Sequence, residues 1–268
     1  MPISDNHIHI GQFNEVYYEP QKISDTILET GVGSFSFSST TSCKDGVKYK
    51  EIEKEILSIK YVFGKAHPFF GLIPEYIQQR IDIESVSQYI DYKGIKIHPL
   101  AQKWDLTNKK HLAVLNETFD YAQRQKLPVL IHTGNNTVDM ADRFEIFFNR
   151  YKDIKFILSH CRPLENAIEI IKKYKNVFGD TAFVSNESLR KIAKFGVIKK
   201  MITGSDFPIT HYLREREMGK YINIKQQYRN DFLKLKIQKN FIETGHMLLP
   251  ETVSAILRYK SVKISKKL

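Results

Sequence analysis

Short apolar runs recur along the whole chain, with stretches of helical periodicity between them. The apolar runs begin near Ser4, Val32, Ala66, Gly94, Pro128, Lys155, Asn176 and Lys200. The spacing from one run to the next is about 20 to 34 residues, which is the length of a βα unit. The pattern therefore predicts eight strands, each followed by a connection long enough to hold a helix.

The intervening stretches have the spacing of amphipathic helices. Residues 51–59, 110–126 and 166–174 each place apolar side chains three or four positions apart. Strands that alternate with helices form a parallel sheet, and eight such units close into a (β/α)8 TIM barrel of the α/β class. A length of 268 residues suits one domain, which we expect to span residues 1–268. Its barrel core should cover about 3–210, with a C-terminal helical segment at about 220–262 packed outside.

Residues that bind metals stand at one end of several predicted strands. The first strand carries His7 and His9, which share a face because side chains two positions apart in a strand point the same way. Three later apolar runs end at His132, His160 and Asp206. The carboxyl ends of the strands are where (β/α)8 barrels build their active sites. Imidazoles and a carboxylate at this rim predict a site for a divalent cation.

The fourth predicted strand brings two more polar side chains to the same rim. Lys96 and His98 share one face of the sequence Gly-Ile-Lys-Ile-His-Pro at residues 94–99. A lysine beside a metal acts as an electrostatic group, as a proton donor or, after carbamylation, as a bridging ligand. Pairing of Lys96 with an acid inside the barrel mouth is the structural alternative, and the sequence leaves the two open.

Composition narrows the partners and the compartment. The net charge of +11 is spread over lysines along the predicted helices, which favours a solvated surface over a nucleic-acid site. No apolar run reaches the length of a membrane span, and no signal peptide is evident. Cys43 and Cys161 are too few for a disulfide framework, so we expect a cytoplasmic protein. The sequence leaves homo-oligomerisation open.

Taken together, these segments resemble the amidohydrolase superfamily of metal-dependent (β/α)8 hydrolases, in its amidohydrolase-2 branch. The resemblance runs from about residue 3 to about 210. The matching segments are residues 5–9, 94–99, 128–134, 157–161 and 204–208. The closing helix departs from the family, in which an asparagine–alanine pair is usual near its start. Residues 239–246 read Lys-Asn-Phe-Ile-Glu-Thr-Gly-His instead.

The resemblance implies a set of roles for these positions. His7, His9, His132 and Asp206 would bind a divalent metal, most often zinc, and His160 would support the first ion or bind a second one. Asp206 would also move a proton between the attacking water and the leaving group. His160 or the metal would stabilise the developing oxyanion. With Lys96, Asp206 and His160 form the expected catalytic set.

The substrate expected from these roles is a small molecule: an amide, a lactone or an ester. The loops after the strands select it in barrels of this kind. Lys44 and Arg162 lie in such loops and, with His98, are the substrate-binding residues that we expect. Either cation would suit a carboxylate or a phosphate.

Three alternatives remain at this stage. A TatD-like phosphodiesterase or deoxyribonuclease also begins with a His-x-His pair, although those barrels place a glutamate on the fourth strand, where this chain has Lys96 and His98. A metal-dependent decarboxylase of the same barrel family is the second alternative. The third is a barrel that keeps its metal only for folding.

Overall fold

Nine strands form the centre of the computed structural model, which describes residues 2–59, 64–74, 76–79 and 81–245. The strands are β1 Ser4–Phe13, β2 Val16–Tyr18, β3 Ser34–Ser39, β4 Ala66–Gly71, β5 Gly94–Ile97, β6 Val129–His132, β7 Phe156–Ser159, β8 Val177–Asp180 and β9 Met201–Ile202. Eight of them begin within two residues of the apolar runs that predicted them. The exception is β2, which turns back against β1 as a short antiparallel hairpin arm.

All the other pairings in the sheet are parallel. The strands follow the order β2-β1-β3-β4-β5-β6-β7-β8-β9, so that successive parallel strands are neighbours. Each connection crosses from the end of one strand to the start of the next through a helix or a loop. The described part of the chain thus has an α/β barrel-like architecture, as the alternating pattern predicted.

The sheet curls until its first strand lies beside the chain that follows its last strand. The Asn6 amide donates to the Thr203 carbonyl at 2.9 Å, and the His9 amide donates to the Phe207 carbonyl at 2.8 Å. Between them, the Asp206 amide donates to the His7 carbonyl at 2.8 Å. We call this contact between β1 and residues 203–207 the seam. It brings the two ends of the predicted barrel core into direct hydrogen bonding.

Helices cover the outer face of the sheet. They are α1 Pro20–Leu28, α2 Tyr49–Leu57, α3 Tyr76–Gln79, α4 Ile83–Val86, α5 Lys109–Gln125, α6 Glu145–Arg150, α7 Leu164–Lys173, α8 Asn186–Lys194, α9 Ile209–Met218 and α10 Ile224–Thr244. Three of these, α2, α5 and α7, are the helices that periodicity predicted. In the predicted C-terminal segment, α10 is described and residues 246–262 lie outside the described residues. No described helix has the length and apolar character needed to span a membrane.

Apolar side chains fill both sides of the sheet, but unequally. The large core lies between sheet and helices and includes Ile8, Ile10 and Phe119. A small cluster of Phe69, Leu130 and Ile157 packs apart from it on the other face of the sheet. Because strand side chains alternate, this second face continues towards the carboxyl ends with polar residues. The small cluster therefore forms an apolar floor beneath the predicted site.

A partly buried carboxyl group joins the last two described helices. Asp231 on α10 accepts hydrogen bonds from Thr210 Oγ1 of α9 at 2.8 Å and from Gln227 Nε2 at 3.0 Å. Burial raises the pKa of Asp231 to about 6, and the hydrogen bonds and nearby Lys234 only partly offset this. The protonated form is thus favoured in the folded protein relative to an unfolded chain, where the ordinary pKa is 3.8.

We predict that replacing Asp231→Asn changes how stability depends on pH. A raised folded-state pKa gives stability that is present below about pH 4 and is lost as the pH rises through about 6. The wild type should therefore lose about 1–3 kcal/mol of unfolding free energy relative to the variant between about pH 4 and 7. Urea denaturation of both proteins, with a chelator present, measures this difference. Parallel pH curves for the two proteins would contradict the assignment.

Candidate metal centre

Strand β1 presents two imidazoles to the inside of the curled sheet. His7 and His9 are buried, and the residues that alternate with them, Ile8 and Ile10, are fully buried in the large core on the opposite face. The strand is hydrogen-bonded to β3 along one edge and to residues 203–207 along the other, through the seam. Both imidazoles are therefore held on a strand that is fixed along its two edges.

The seam places a carboxylate against these imidazoles. Asp206 Oδ1 lies 3.1 Å from His7 Nε2 and 3.0 Å from His9 Nε2, and the two nitrogens are 3.1 Å apart. These three atoms form a nearly equilateral triangle. Asp206 has a positive φ of 63°, in the left-handed region, and this conformation is held by the backbone bonds of the seam.

The triangle fits a divalent metal. Zinc bonds to nitrogen and oxygen of about 2.0–2.1 Å in a tetrahedron imply ligand-to-ligand distances of about 3.3 Å. The observed distances of 3.0–3.1 Å are close to that value, and the donor set of two imidazoles and one carboxylate is one that zinc accepts. His7, His9 and Asp206 are thus a candidate face of a metal coordination shell, with the cavity on its open side.

Asp180, which sequence reasoning missed, holds the far side of the His7 ring. Its Oδ2 lies 2.7 Å from His7 Nδ1, and its Oδ1 accepts the backbone amides of His160 at 2.9 Å and Ala182 at 3.1 Å. A carboxylate beside Nδ1 keeps the proton on that nitrogen and leaves the Nε2 lone pair facing Asp206 and His9. The signal was present in the sequence, because β8 is an apolar run that ends in this aspartate.

His160 lies on the other side of His7. The two ring centroids are 5.1 Å apart, and His7, His160 and Asp180 form a second group with ligand atoms within 4.8 Å of one another. Both His160 and Cys161 have positive φ, so the chain turns sharply after β7. The Cys161 thiol is buried against the Leu158 and Asp180 carbonyls, and burial raises its pKa, so the thiol stays protonated.

His132 is close to this cluster but outside its tightest triangle. Its ring is stacked on His98 at a centroid distance of 3.6 Å and lies 4.8 Å from the ring of His160. Neither of the two compact ligand groups among the described residues includes His132. His132, the predicted fourth ligand, lines the same cavity as His9, Asp206 and His160 but is not part of the triangle.

Lys96 projects from β5 into the centre of the site. Its ammonium lies 3.1 Å from His7 Nε2 and 3.2 Å from Ser159 Oγ, and the side chain is buried. Burial lowers the pKa of Lys96, whereas the carboxylates of Asp206 and Asp180 raise it. Both sequence-based interpretations of Lys96 thus fit its position, because it lies beside His7, a candidate metal ligand, and near the acids Asp206 and Asp180.

Burial also sets the protonation of the imidazoles. It lowers the pKa of His7 and of His132 well below the ordinary range, and that of His160 to about 4. Burial opposes ionisation of Asp206 as well, but the nearby rings of His160 and His9 outweigh it and lower the pKa of that carboxyl. Neutral imidazoles beside an ionised carboxylate are the forms that bind a cation.

A second buried aspartate, also missed from the sequence, supports the seam. Asp5 accepts hydrogen bonds from the Ser205 amide at 2.9 Å, from Ser205 Oγ at 2.6 Å and from the Tyr228 hydroxyl at 3.1 Å. Burial raises its pKa to about 7. Asp5 thereby ties β1, two residues before His7, to the residue before Asp206. The signal available in the sequence was its position two residues before His7, but β1 is irregular between Asp5 and Ile8, and the Asp5 side chain contacts Tyr228 of α10.

A cavity of about 460 Å³ opens above the triangle. All the predicted site residues except His7 line it. They are His9, Lys44, Lys96, His98, His132, His160, Arg162 and Asp206. Lys44 and Arg162 are exposed at its margin, where the Arg162 guanidinium lies 5.3 Å from the centre of the Phe183 ring. The structure thus gathers into one cavity residues that are up to 197 positions apart in the chain.

The hairpin of β1 and β2 forms one lip of this cavity. Gly11 has a φ of +83°, and a Cβ there would lie 2.5 Å from a carboxylate oxygen of buried Glu55. Glu55 in turn accepts hydrogen bonds from Ser39 and from Thr41 Oγ1 at 2.7 Å. Because only glycine suits that backbone and that space, position 11 fixes where the hairpin leaves the strand.

Comparison with known proteins agrees with this architecture. Residues 81–236 match the Amidohydro_2 family, described as amidohydrolase. That match covers more than half of the chain, and the chain therefore belongs to the amidohydrolase family. The resemblance inferred from the sequence is confirmed. No curated protein matches the chain in sequence.

Several solved structures share the fold at low sequence identity. A TIM-barrel protein from Bordetella bronchiseptica is 12% identical with a TM-score of 0.54, over 89% of this chain and 99% of that one. The amidohydrolase 2 from Bifidobacterium longum subsp. infantis is 13% identical with a TM-score of 0.51, over 88% and 98%. A 2,6-dihydroxybenzoate decarboxylase, solved with 2,6-dihydroxybenzoate, is 10% identical with a TM-score of 0.52, over 88% and 99%. At such identities the likeness concerns the fold.

We predict that Asp180→Asn weakens metal binding without unfolding the protein. The asparagine oxygen would keep the two backbone bonds, so its NH₂ group would face His7 Nδ1. That nitrogen would have to accept, and the ring proton would move to Nε2, where it blocks the lone pair. Zinc affinity, measured by competition with a chelating dye, should fall by about 10- to 100-fold.

Asp139→Asn is the matched control, because Asp139 is also buried and accepts a backbone amide, from Asn136, but does not line the cavity. It should bind zinc like the wild type. Equal zinc affinity of the Asp180→Asn variant and the wild type would refute the role given to Asp180.

Proposed function

We propose that this protein is a metal-dependent hydrolase that adds water to a small amide, lactone or ester. The observation that carries this proposal is the triangle of His7, His9 and Asp206 at the base of the cavity. Three buried donor atoms about 3 Å apart, with one side of the triangle open to the cavity, are arranged as ligands that leave room for substrate. A divalent cation held there, zinc for preference, supplies a Lewis acid for the substrate carbonyl and for water.

The chain's own residues account for the proton transfers. Asp206 lines the cavity and its lowered pKa keeps the carboxyl ionised, so that Oδ2, the oxygen not used in the triangle, can take a proton from the attacking water. The water oxygen bonds to the acyl carbon, the bond to the leaving nitrogen or oxygen breaks, and Asp206 returns the proton to that leaving atom. The ammonium of Lys96 and the ring of His160 lie beside the triangle to stabilise the negative charge that develops on the carbonyl oxygen.

The wider assignments follow from this proposal. We propose a single domain over residues 1–268, whose core at about 3–210 closes through the seam into a complete (β/α)8 barrel, with a helical extension at about 220–262. His132 completes the metal shell, and His98, Lys44 and Arg162 contact the substrate. Both cysteines are unpaired, which suits a reducing compartment, and we propose the cytoplasm. Metal analysis of the pure protein gives the number of bound ions, one or two. Its mass in solution shows whether it forms homo-oligomers.

A decarboxylase of the same barrel family is the second candidate. It is favoured by the likeness to the 2,6-dihydroxybenzoate decarboxylase and by Phe13, Phe183 and Ile209, which give the cavity apolar walls on which an aromatic acid could stack. A TatD-like nuclease is less well supported. In place of a strand glutamate, the cavity has Lys96 and His98.

We predict that activity depends on the metal and on Asp206. Dialysis against a chelator should abolish turnover, and zinc should restore it. Asp206→Asn should lower kcat by about 10²- to 10⁴-fold, because an amide neither accepts the proton nor returns it. His132→Ala should lower metal content and turnover together, whereas Asp139→Asn should do neither. Metal analysis and steady-state rates on the same preparations provide the test, and full activity of either site variant would overturn the proposal.

We also predict which class of compound is turned over. The zinc-loaded protein should hydrolyse members of a panel of small amides, lactones and esters, with product analysis by mass spectrometry. Release of carbon dioxide from aromatic acids without hydrolysis would favour the decarboxylase. Cleavage of DNA or of phosphodiesters alone would favour the nuclease.

A further inference from the structure

His98 lies at the cavity wall, and one of its ring nitrogens already accepts a hydrogen bond from the backbone. It directly follows β5, and its ring is stacked on His132 at a centroid distance of 3.6 Å and an interplanar angle of 12°. The chain turns after it, so that the Ala101 amide donates a hydrogen bond to His98 Nδ1 at 3.2 Å. The backbone amide of His98 in turn donates to Gln102 Oε1 at 2.7 Å.

These bonds determine where the ring proton is. A nitrogen that accepts from a backbone amide cannot carry a proton, because both groups would then be donors. The neutral ring of His98 must therefore be protonated at Nε2. The turn at residues 98–101 fixes the tautomer, and stacking on His132 fixes the plane of the ring, before any ligand is bound.

The Nε2–H group has no acceptor among the described residues of the chain. Three hydroxyl groups on the cavity wall, by contrast, already donate hydrogen bonds within the protein. Thr40 Oγ1 donates to the Ile10 carbonyl, Ser42 Oγ donates to the Ser39 carbonyl, and Ser39 Oγ donates to Glu55. The cavity thus contains a rigid, neutral hydrogen-bond donor whose partner is not part of the described protein.

We propose that His98 is a catalytic residue of the reaction above and donates a hydrogen bond from Nε2–H to an oxygen of the bound substrate. This inference rests on the proposed hydrolase function and makes it more specific. The substrate must present an acceptor oxygen, from an acyl or carboxylate group, at the side of the cavity formed by residues 98–102. A neutral donor with its other nitrogen occupied polarises or orients that oxygen. It cannot act as the general base, which leaves that role to Asp206.

Two substitutions separate the donor from the structural role of the ring. His98→Asn keeps an oxygen near the position of Nδ1 for the Ala101 amide but removes the donor at Nε2. His98→Gln places an amide NH₂ near the position of Nε2. His111→Asn is the matched control, because His111 Nδ1 also accepts a backbone amide, from Asp105 at 3.1 Å, but the residue does not line the cavity.

Two readouts are needed, one of which does not depend on turnover. The first is kcat/KM on the hydrolysed substrate, which should fall by about 10²- to 10³-fold in His98→Asn, as expected for loss of one preorganised donor. The second is the Kd of methylphosphonate, a tetrahedral oxyanion, measured by calorimetry on the zinc-loaded proteins, which should rise by about tenfold. His98→Gln should recover most of both quantities, and His111→Asn should change neither.

The outcomes are distinguishable from failure of the hydrolase proposal. If His98→Asn retains wild-type kcat/KM and wild-type methylphosphonate affinity, the inference is overturned even though the enzyme is a hydrolase. If the wild type turns over no compound of the panel but loses methylphosphonate affinity in His98→Asn and regains it in His98→Gln, the donor role stands and the hydrolase proposal fails. If His98→Asn and His98→Gln lose kcat/KM and methylphosphonate affinity to the same extent, His98 has only a packing role and the inference is overturned.

Discussion

The seam between β1 and residues 203–207 is the constraint on which the site depends. Three backbone hydrogen bonds of 2.8–2.9 Å fix the register between a strand at the start of the chain and a turn about 200 residues later. A shift of one residue would turn His7 and His9 away from the cavity, because strand side chains alternate between faces. Asp5, which binds Ser205 across the seam, holds the same register with side-chain bonds.

The seam also explains how so many polar groups are buried together. An unpaired buried carboxylate or imidazole costs several kcal/mol, so each must have a partner. Here the partners are one another, since Asp206 faces His7 and His9, and Asp180 joins His7 to the backbone of His160. Lys96 adds a cation to this cluster. A buried polar network of this kind is stable only when every member has its partner. Its geometry is therefore sensitive to single substitutions.

The apolar floor lies directly beneath this network on the inner face of the curled sheet. Phe69, Leu130 and Ile157 occupy the layer below the polar rim, and His132 stands two positions beyond Leu130 on the same strand face. This is the arrangement in which fixed dipoles and charges act most strongly on a bound substrate, because the surroundings have a low dielectric constant.

The sequence by itself determined the strands, the alternation that makes the fold barrel-like, and the polar residues at the strand ends. These features are local, because a period of two and the end of an apolar run can be identified in a few residues. It did not find Asp180 as the partner of His7, although β8 ends in that residue, because a single aspartate after a strand is ordinary. Nor did it find Asp5, whose role depends on Ser205 and Tyr228. Only the tertiary structure decided which nitrogen of His7 and His98 carries the proton and that His132 stands outside the tightest triangle, since these depend on contacts between strands and turns that are distant in the chain.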